Sequence, residues 1–146
     1  REDDGVLVVL APVTRLLVAG AGPIAQAIAR QGELLGWKCA LESRPEMVAG
    51  VCATLSPLDA VVVLGHDVEA SSRCLMSALE SDSGYIGALG SANMQRSRAD
   101  WLAYRDVTDL SRVHGPAGLN IGAQGPEEIA VSVSAEIISV LRLTTF

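Results

Sequence analysis

Short apolar runs alternate with helical stretches along most of this chain, and that alternation limits the fold more than any other feature. Arg15–Ala19, Lys38–Leu41, Ala60–Leu64 and Tyr85–Leu89 read as strands. Their apolar residues are continuous, as expected for strands covered on both faces. After the first strand, Ile24, Ala27, Ile28, Gln31, Leu34 and Leu35 keep helical spacing, and Gly36 marks the helix end. Glu46–Leu55 reads as a short helix, Ser71–Glu80 and Ala92–Tyr104 as longer ones, and Val107–Val113 as a further helical turn. Pro126–Leu141 is the last helix, with Ile129, Val133, Ile137, Val140 and Leu141 as its core stripe. Such alternation predicts a three-layer, Rossmann-like doubly wound α/β fold around a mainly parallel sheet.

Composition agrees. Apolar residues make up 49% of the 146, aromatics only 3%, and mean hydropathy is +0.34. The core must therefore be Val, Leu, Ile and Ala, which suits parallel strands under Ala-rich helices. One domain accounts for the length, with residues 15–146 as the Rossmann-like unit. Residues 1–14, with the apolar run Val6–Ala11, read as a linker or edge strand from an upstream domain. The start at Arg1 instead of Met fits a domain cut from a longer protein. Net charge is −6 with no basic stripe, which argues against nucleic acid and anionic membranes as partners. The run Val6–Val13 is too short to span a bilayer. Cys39, Cys52 and Cys74 lack metal-ligand spacing and read as buried reduced thiols. A cytoplasmic location and no metal site follow as expectations.

Four segments carry the chemistry. Gly20-Ala21-Gly22-Pro23-Ile24-Ala25 lies between a strand and a helix, the context in which a GxGxxA turn binds phosphate. Gly20 permits the tight turn, Gly22 lets a pyrophosphate approach the backbone, and Ala25 allows close helix packing. Amides at the helix start, near Ile24, face the phosphate, although Pro23 removes one donor. Glu42, about 20 residues on, stands where a carboxylate accepts from ribose hydroxyls. Arg44 could instead meet a 2′-phosphate, so NAD and NADP both stay open. The second segment, Gly65-His66-Asp67, follows a strand end. His66 can hydrogen-bond a ligand or move a proton, and Asp67 can orient it or cap the next helix. The third holds Gly90 and Ser91, an N-cap or an anion contact. The fourth is His114–Ala123, with Gly118, Asn120 and Gly122, where so much glycine points to a close approach by a ligand or to tight turns alone.

Together these segments resemble the Rossmann domain of the XdhC/CoxI family, accessory factors for xanthine dehydrogenase and carbon monoxide dehydrogenase. Gly118-Leu119-Asn120-Ile121-Gly122-Ala123, followed by Pro126-Glu127-Glu128-Ile129-Ala130 and Ala135-Glu136-Ile137, is the most specific match. The chain departs from the family where Pro23 replaces a usual His, Asn120 a usual Asp, and Gly65 a usual Thr. The stretch between Glu42 and Ala60 reads as shortened, and the family's usual N-terminal domain is expected upstream of these residues. The resemblance implies maturation of molybdenum hydroxylases: binding, protecting and inserting the molybdenum cofactor, as molybdopterin or its dinucleotide. Its partners would be that cofactor and the apoenzyme. No nucleophile–base pair is legible, so no catalytic residue is named. An NAD(P)-dependent oxidoreductase is a competing reading, supported by Glu42. A non-catalytic module that forms a homo-oligomer through its surplus Val and Leu is a third.

Overall fold

The computed structural model describes residues 12–144. They form, in chain order, β1 (Arg15–Ala19), α1 (Pro23–Leu34), β2 (Lys38–Glu42), α2 (Pro45–Cys52) and β3 (Ala60–Val63). Then come α3 (Val68–Glu80), β4 (Tyr85–Ala88), α4 (Ala92–Ala103), β5 (Val113–His114) and α5 (Gly125–Leu143). The strands make one sheet in the order β2-β1-β3-β4-β5, parallel throughout. The expected doubly wound α/β architecture is present. The expected joining segment lies, up to Ala11, outside the described residues.

Strand alternation sorts the core into two layers. Leu16, Val18, Ala60, Val62 and Tyr85 face α1 and α5, where Ala25, Ile28, Ala130, Val133 and Ile137 cover them. Leu17, Ala19, Val61, Val63 and Ile86 face α2, α3 and α4, against Val48, Cys52, Leu75, Ala78 and Leu102. Each Val, Leu or Ile so buried contributes about 1.5–3 kcal/mol. Cys39, Cys52 and Cys74 are free thiols; Cys52 and Cys74 are buried as expected, whereas Cys39, on β2 at the sheet's edge, is only half-buried. Burial pushes each of them up to about 11.

Two readings need correction. The expected stripe of α1 fails only at its leucines: Ala27 and Ile28 are buried as the spacing predicts, but Leu34 is 82% exposed and Leu35 is exposed too, while Ala25, Ala29 and Gly32 are buried. Close packing selects small residues there. A Cβ on Gly32 would stand 2.6 Å from Cys39 Sγ, so the buried face is one that hydropathy underweights. Gly36, at φ +85°, does end the helix, and Trp37 N–H donates back to Gly32 O at 3.0 Å. Likewise 107–113 is no helical turn. Asp106 at φ 64° breaks the chain direction after α4, and Val113 and His114 pair with Ile86 and Gly87 as β5.

Candidate functional site

The sheet's order fixes where a ligand can sit. From β1 the chain moves through α1 on one face to β2. From β3 it moves through α3 on the other face to β4. The split between β1 and β3 is a topological switch point, and crevices outside the carboxyl ends of such strands bind ligands.

Two clefts open there, on either side of the Gly20–Gly22 turn. One, about 300 Å³, lies over β1, β3 and β4 and is lined by Ala21, Pro23, Ile24, Leu64, Gly65, His66, Leu89, Gly90, Ser91 and Met94. The other, about 330 Å³, lies over β1 and β2 and is lined by Gly20, Ala21, Gly22, Gln26, Leu41, Glu42, Ser43 and Arg44. Ala21 belongs to both walls, so the glycine turn is the ridge between them.

That turn owes its shape to its glycines. A Cβ on Gly20 would lie 2.8 Å from Leu64 O, against the neighbouring strand's backbone. Gly22, the N-cap of α1, has φ 101° and ψ −175°, a region that is essentially glycine-only. Among the described residues, the amides of Gly22, Ile24 and Ala25 meet no acceptor. Such orphan donors at a helix start are the ordinary means of holding a phosphate.

At the far end of the second cleft, Glu42 is held tightly. Arg44 Nε donates to its Oε2 and Nη2 to its Oε1, both at 2.9 Å. The amides of Ser43 and Arg44 each donate to Oε2 at 3.0 Å. These bonds, the Arg44 side chain foremost, hold the Glu42 carboxyl at about 2. Glu42 is therefore a carboxylate at neutral pH, with most of its acceptor capacity already used. Gly20 N–H bonds Glu42 O at 3.0 Å, so the turn and the acidic residue form one unit.

His66 is exposed in the wall of the first cleft. Asp67 acts as the N-cap of α3, accepting from Ala70 N–H at 3.0 Å, and lines a groove between α2 and α3 instead. Ser91 caps α4 by accepting from Met94 N–H at 3.1 Å while still lining the first cleft. Gly118, Asn120 and Gly122 line neither cleft. The Gly118 turn packs against α5. A Cβ there would meet Ser132 Oγ at 2.3 Å, and the Ser132 hydroxyl donates to Leu119 O at 2.6 Å. Among the described residues, no three His, Cys, Asp or Glu side chains gather to hold a metal ion. No described helix is long and apolar enough to cross a membrane.

Two polar clusters had little signal in the sequence. Glu136 Oε1 accepts from the buried Tyr85 hydroxyl at 2.6 Å and from Gly118 N–H at 2.9 Å. His114 stacks on Tyr85 with ring centroids 4.9 Å apart. Burial, with Glu136 beside it, raises the Tyr85 hydroxyl far above its usual range. Arg98, 1% exposed, sits under the loops after β3 and β4. Its only trace in the sequence is its i,i+4 spacing to Leu102, the other buried residue of α4.

Comparison with known proteins bears on this site. The pattern of the family described as XdhC Rossmann domain matches residues 16–137. A probable xanthine dehydrogenase subunit of Bacillus subtilis (strain 168) is 42% identical over 86 residues, 59% of this chain and 24% of that protein. The molybdenum cofactor insertion chaperone PaoD of Escherichia coli (strain K12) is 28% identical over 131 residues, 88% of this chain and 41% of that protein. A solved xanthine dehydrogenase structure from Bacillus halodurans superposes with TM-score 0.75 at 27% identity, over 92% of this chain and 44% of that one. The chain spans less than half the length of each.

Proposed function

The chain belongs to the XdhC Rossmann domain family, and from that premise we propose that it acts in the maturation of molybdenum hydroxylases. In this reading it binds the molybdenum cofactor as cargo, protects it and passes it to the apoenzyme in the cytoplasm, without catalysing a reaction on it. The cofactor's phosphate or dinucleotide tail rests on the Gly20–Gly22 turn. One observation carries this: unpaired amides of Gly22, Ile24 and Ala25 at a switch-point crevice. The relatives' roles support it, since one is a molybdenum cofactor insertion chaperone. In titration calorimetry with molybdopterin and with its dinucleotide, this reading expects saturable heat with at least one of them. Flat isotherms with both would overturn it.

The Glu42 cleft favours a second reading, an NAD(P) site, because the turn and the carboxylate form one unit. Quenching or enhancement of nicotinamide fluorescence on titration separates the two. NADH binding with hydride transfer to an acceptor would favour an oxidoreductase. Self-association belongs to the same proposal as a lesser element: Val131 and Ile138 are exposed on α5. Size-exclusion chromatography showing a monomer at high concentration removes it.

A further inference from the structure

The last helix, α5, is apolar on two sides. Ala130, Val133, Ile137 and Leu141 turn into the core. An ordinary surface helix is polar on the side facing away. Here Glu128, Val131, Ala135, Ile138 and Arg142 form a second, outer stripe, with Val131 48% and Ile138 37% exposed. Their spacing alternates three and four residues, the spacing of a seam between two helices. Ala135, partly exposed, stands at the centre, where a small side chain lets a second helix come close.

The two ends of the stripe carry opposite charges. Glu128 lies seven residues before Ala135 and Arg142 seven after, so each stands about 10.5 Å from it along the axis. The stripe is therefore complementary to itself. Laid antiparallel on a copy, each Glu128 comes level with the partner subunit's Arg142, and the apolar residues meet between them. Arg142 has no ion pair among the described residues. Glu128 accepts from Gln124 N–H through Oε1 at 2.9 Å, which leaves Oε2 for another donor. Towards α1 the stripe borders a groove of about 450 Å³, lined in part by Leu34, Glu127 and Ala130. Leu34, 82% exposed, extends the apolar surface from α5 onto α1.

We propose that a second copy of this chain docks on this face, with the two α5 helices crossing antiparallel at Ala135 about a two-fold axis. The proposal deepens the self-association element of the reading above, on which it rests, by naming the face and its partner. Such an isologous contact closes on itself and gives a dimer. The charged ends set direction and register, and the apolar centre supplies most of the affinity. No residue of α5 lines either cleft, so both copies keep their ligand sites open.

Sedimentation equilibrium, combined with cross-linking and charge variants, tests it. The wild type reaches twice its 15.2 kDa as concentration rises. Ala135→Cys closes a disulfide-linked dimer under mild air oxidation, because the axis brings this position against its own copy. Arg96→Cys, exposed on α4 across the sheet, does not. Arg142→Glu and Glu128→Arg each weaken association at least tenfold, and the double variant returns to within threefold of the wild type. Both residues also complement the dipole of α5. If that were their whole role, the double variant would associate no better than either single one, and that result overturns the proposal. Should the double variant fail to fold, the cross-linking pair carries the test, and equal rates at 135 and 96 overturn it. A dimer untouched by all these variants refutes this face alone. A monomer at every concentration refutes the face and self-association together, while saturable cofactor binding by that monomer leaves the cargo reading standing. Flat cofactor isotherms from a dimer that cross-links at 135 support the face and overturn the cargo reading alone.

Discussion

Gly22→Ala separates backbone strain from contact, because nothing lies within 4 Å of where its Cβ would go. The cost is then conformational alone. At φ 101° and ψ −175°, a residue with a Cβ is strained by about 1–3 kcal/mol. Alanine also restricts the unfolded chain, which offsets about 0.4–1 kcal/mol. A net loss of roughly 0–2.6 kcal/mol follows, or a fall of up to about 10 °C in Tm for a domain this size. Gly36→Ala is the control. It too has positive φ, +85°, with nothing within 4 Å, but it ends α1 away from both clefts. Its cost is similar, about 1–2 kcal/mol before the same offset. Thermal unfolding by circular dichroism reads both changes, and calorimetry with the molybdenum cofactor reads binding. Gly22→Ala loses stability and at least tenfold in affinity, because the amide ridge is displaced. Gly36→Ala loses stability alone. A Tm above wild type in Gly22→Ala would refute the strain argument, and equal affinity losses in the two variants would refute the placement of the ligand.

Other perturbations reach other parts of the molecule. In Arg44→Ala the Glu42 carboxyl rises from about 2 towards 4.5, followed by carboxyl carbon shifts against pH. Because the folded value is depressed, this pair's stabilisation is present above about 4.5 and lost as pH falls towards 2. The wild type therefore loses more stability across that window than Arg44→Ala does, measured by denaturant unfolding at each pH. Tyr85→Phe removes a 2.6 Å bond to Glu136 and costs about 1–3 kcal/mol, read from urea midpoints. Unchanged midpoints would mean that Glu136 finds another donor. Cys52 and Cys74, buried and held up at about 11, react slowly with a thiol reagent at pH 8 until urea unfolds the chain. Rapid labelling of either in the native protein would contradict their burial.

What the sequence made legible followed from local rules. The first four strands are contiguous apolar runs, and Gly36, Asp67 and Ser91 end or cap helices through chemistry contained in a few neighbouring residues. The Gly20–Gly22 turn and Glu42 were legible for the same reason, and the fold brings them into one cleft. Tertiary geometry decided the rest. β5 is two residues long and exists only through pairing with Ile86 and Gly87. The buried side of α1 is Ile28 with alanines and a glycine, chosen for helix proximity, so its leucines misled. Gly118 read as a ligand approach or a tight turn, and its missing side chain makes room for Ser132, a packing partner that only the fold brings near. Arg98 resembled any surface arginine in a polar helix, since its burial depends on the turn before its own helix and on Gly65 and Ser71, far away in sequence.

The most direct test of the central claim is a structure of this chain with molybdopterin or its dinucleotide bound. Phosphate oxygens are expected within hydrogen-bond distance of the Gly22 and Ile24 amides, with the ligand extending into the cleft lined by His66, Gly90 and Ser91. A cofactor seated elsewhere, for example in the groove between α2 and α3 with no contact to the Gly20–Gly22 turn, would contradict it.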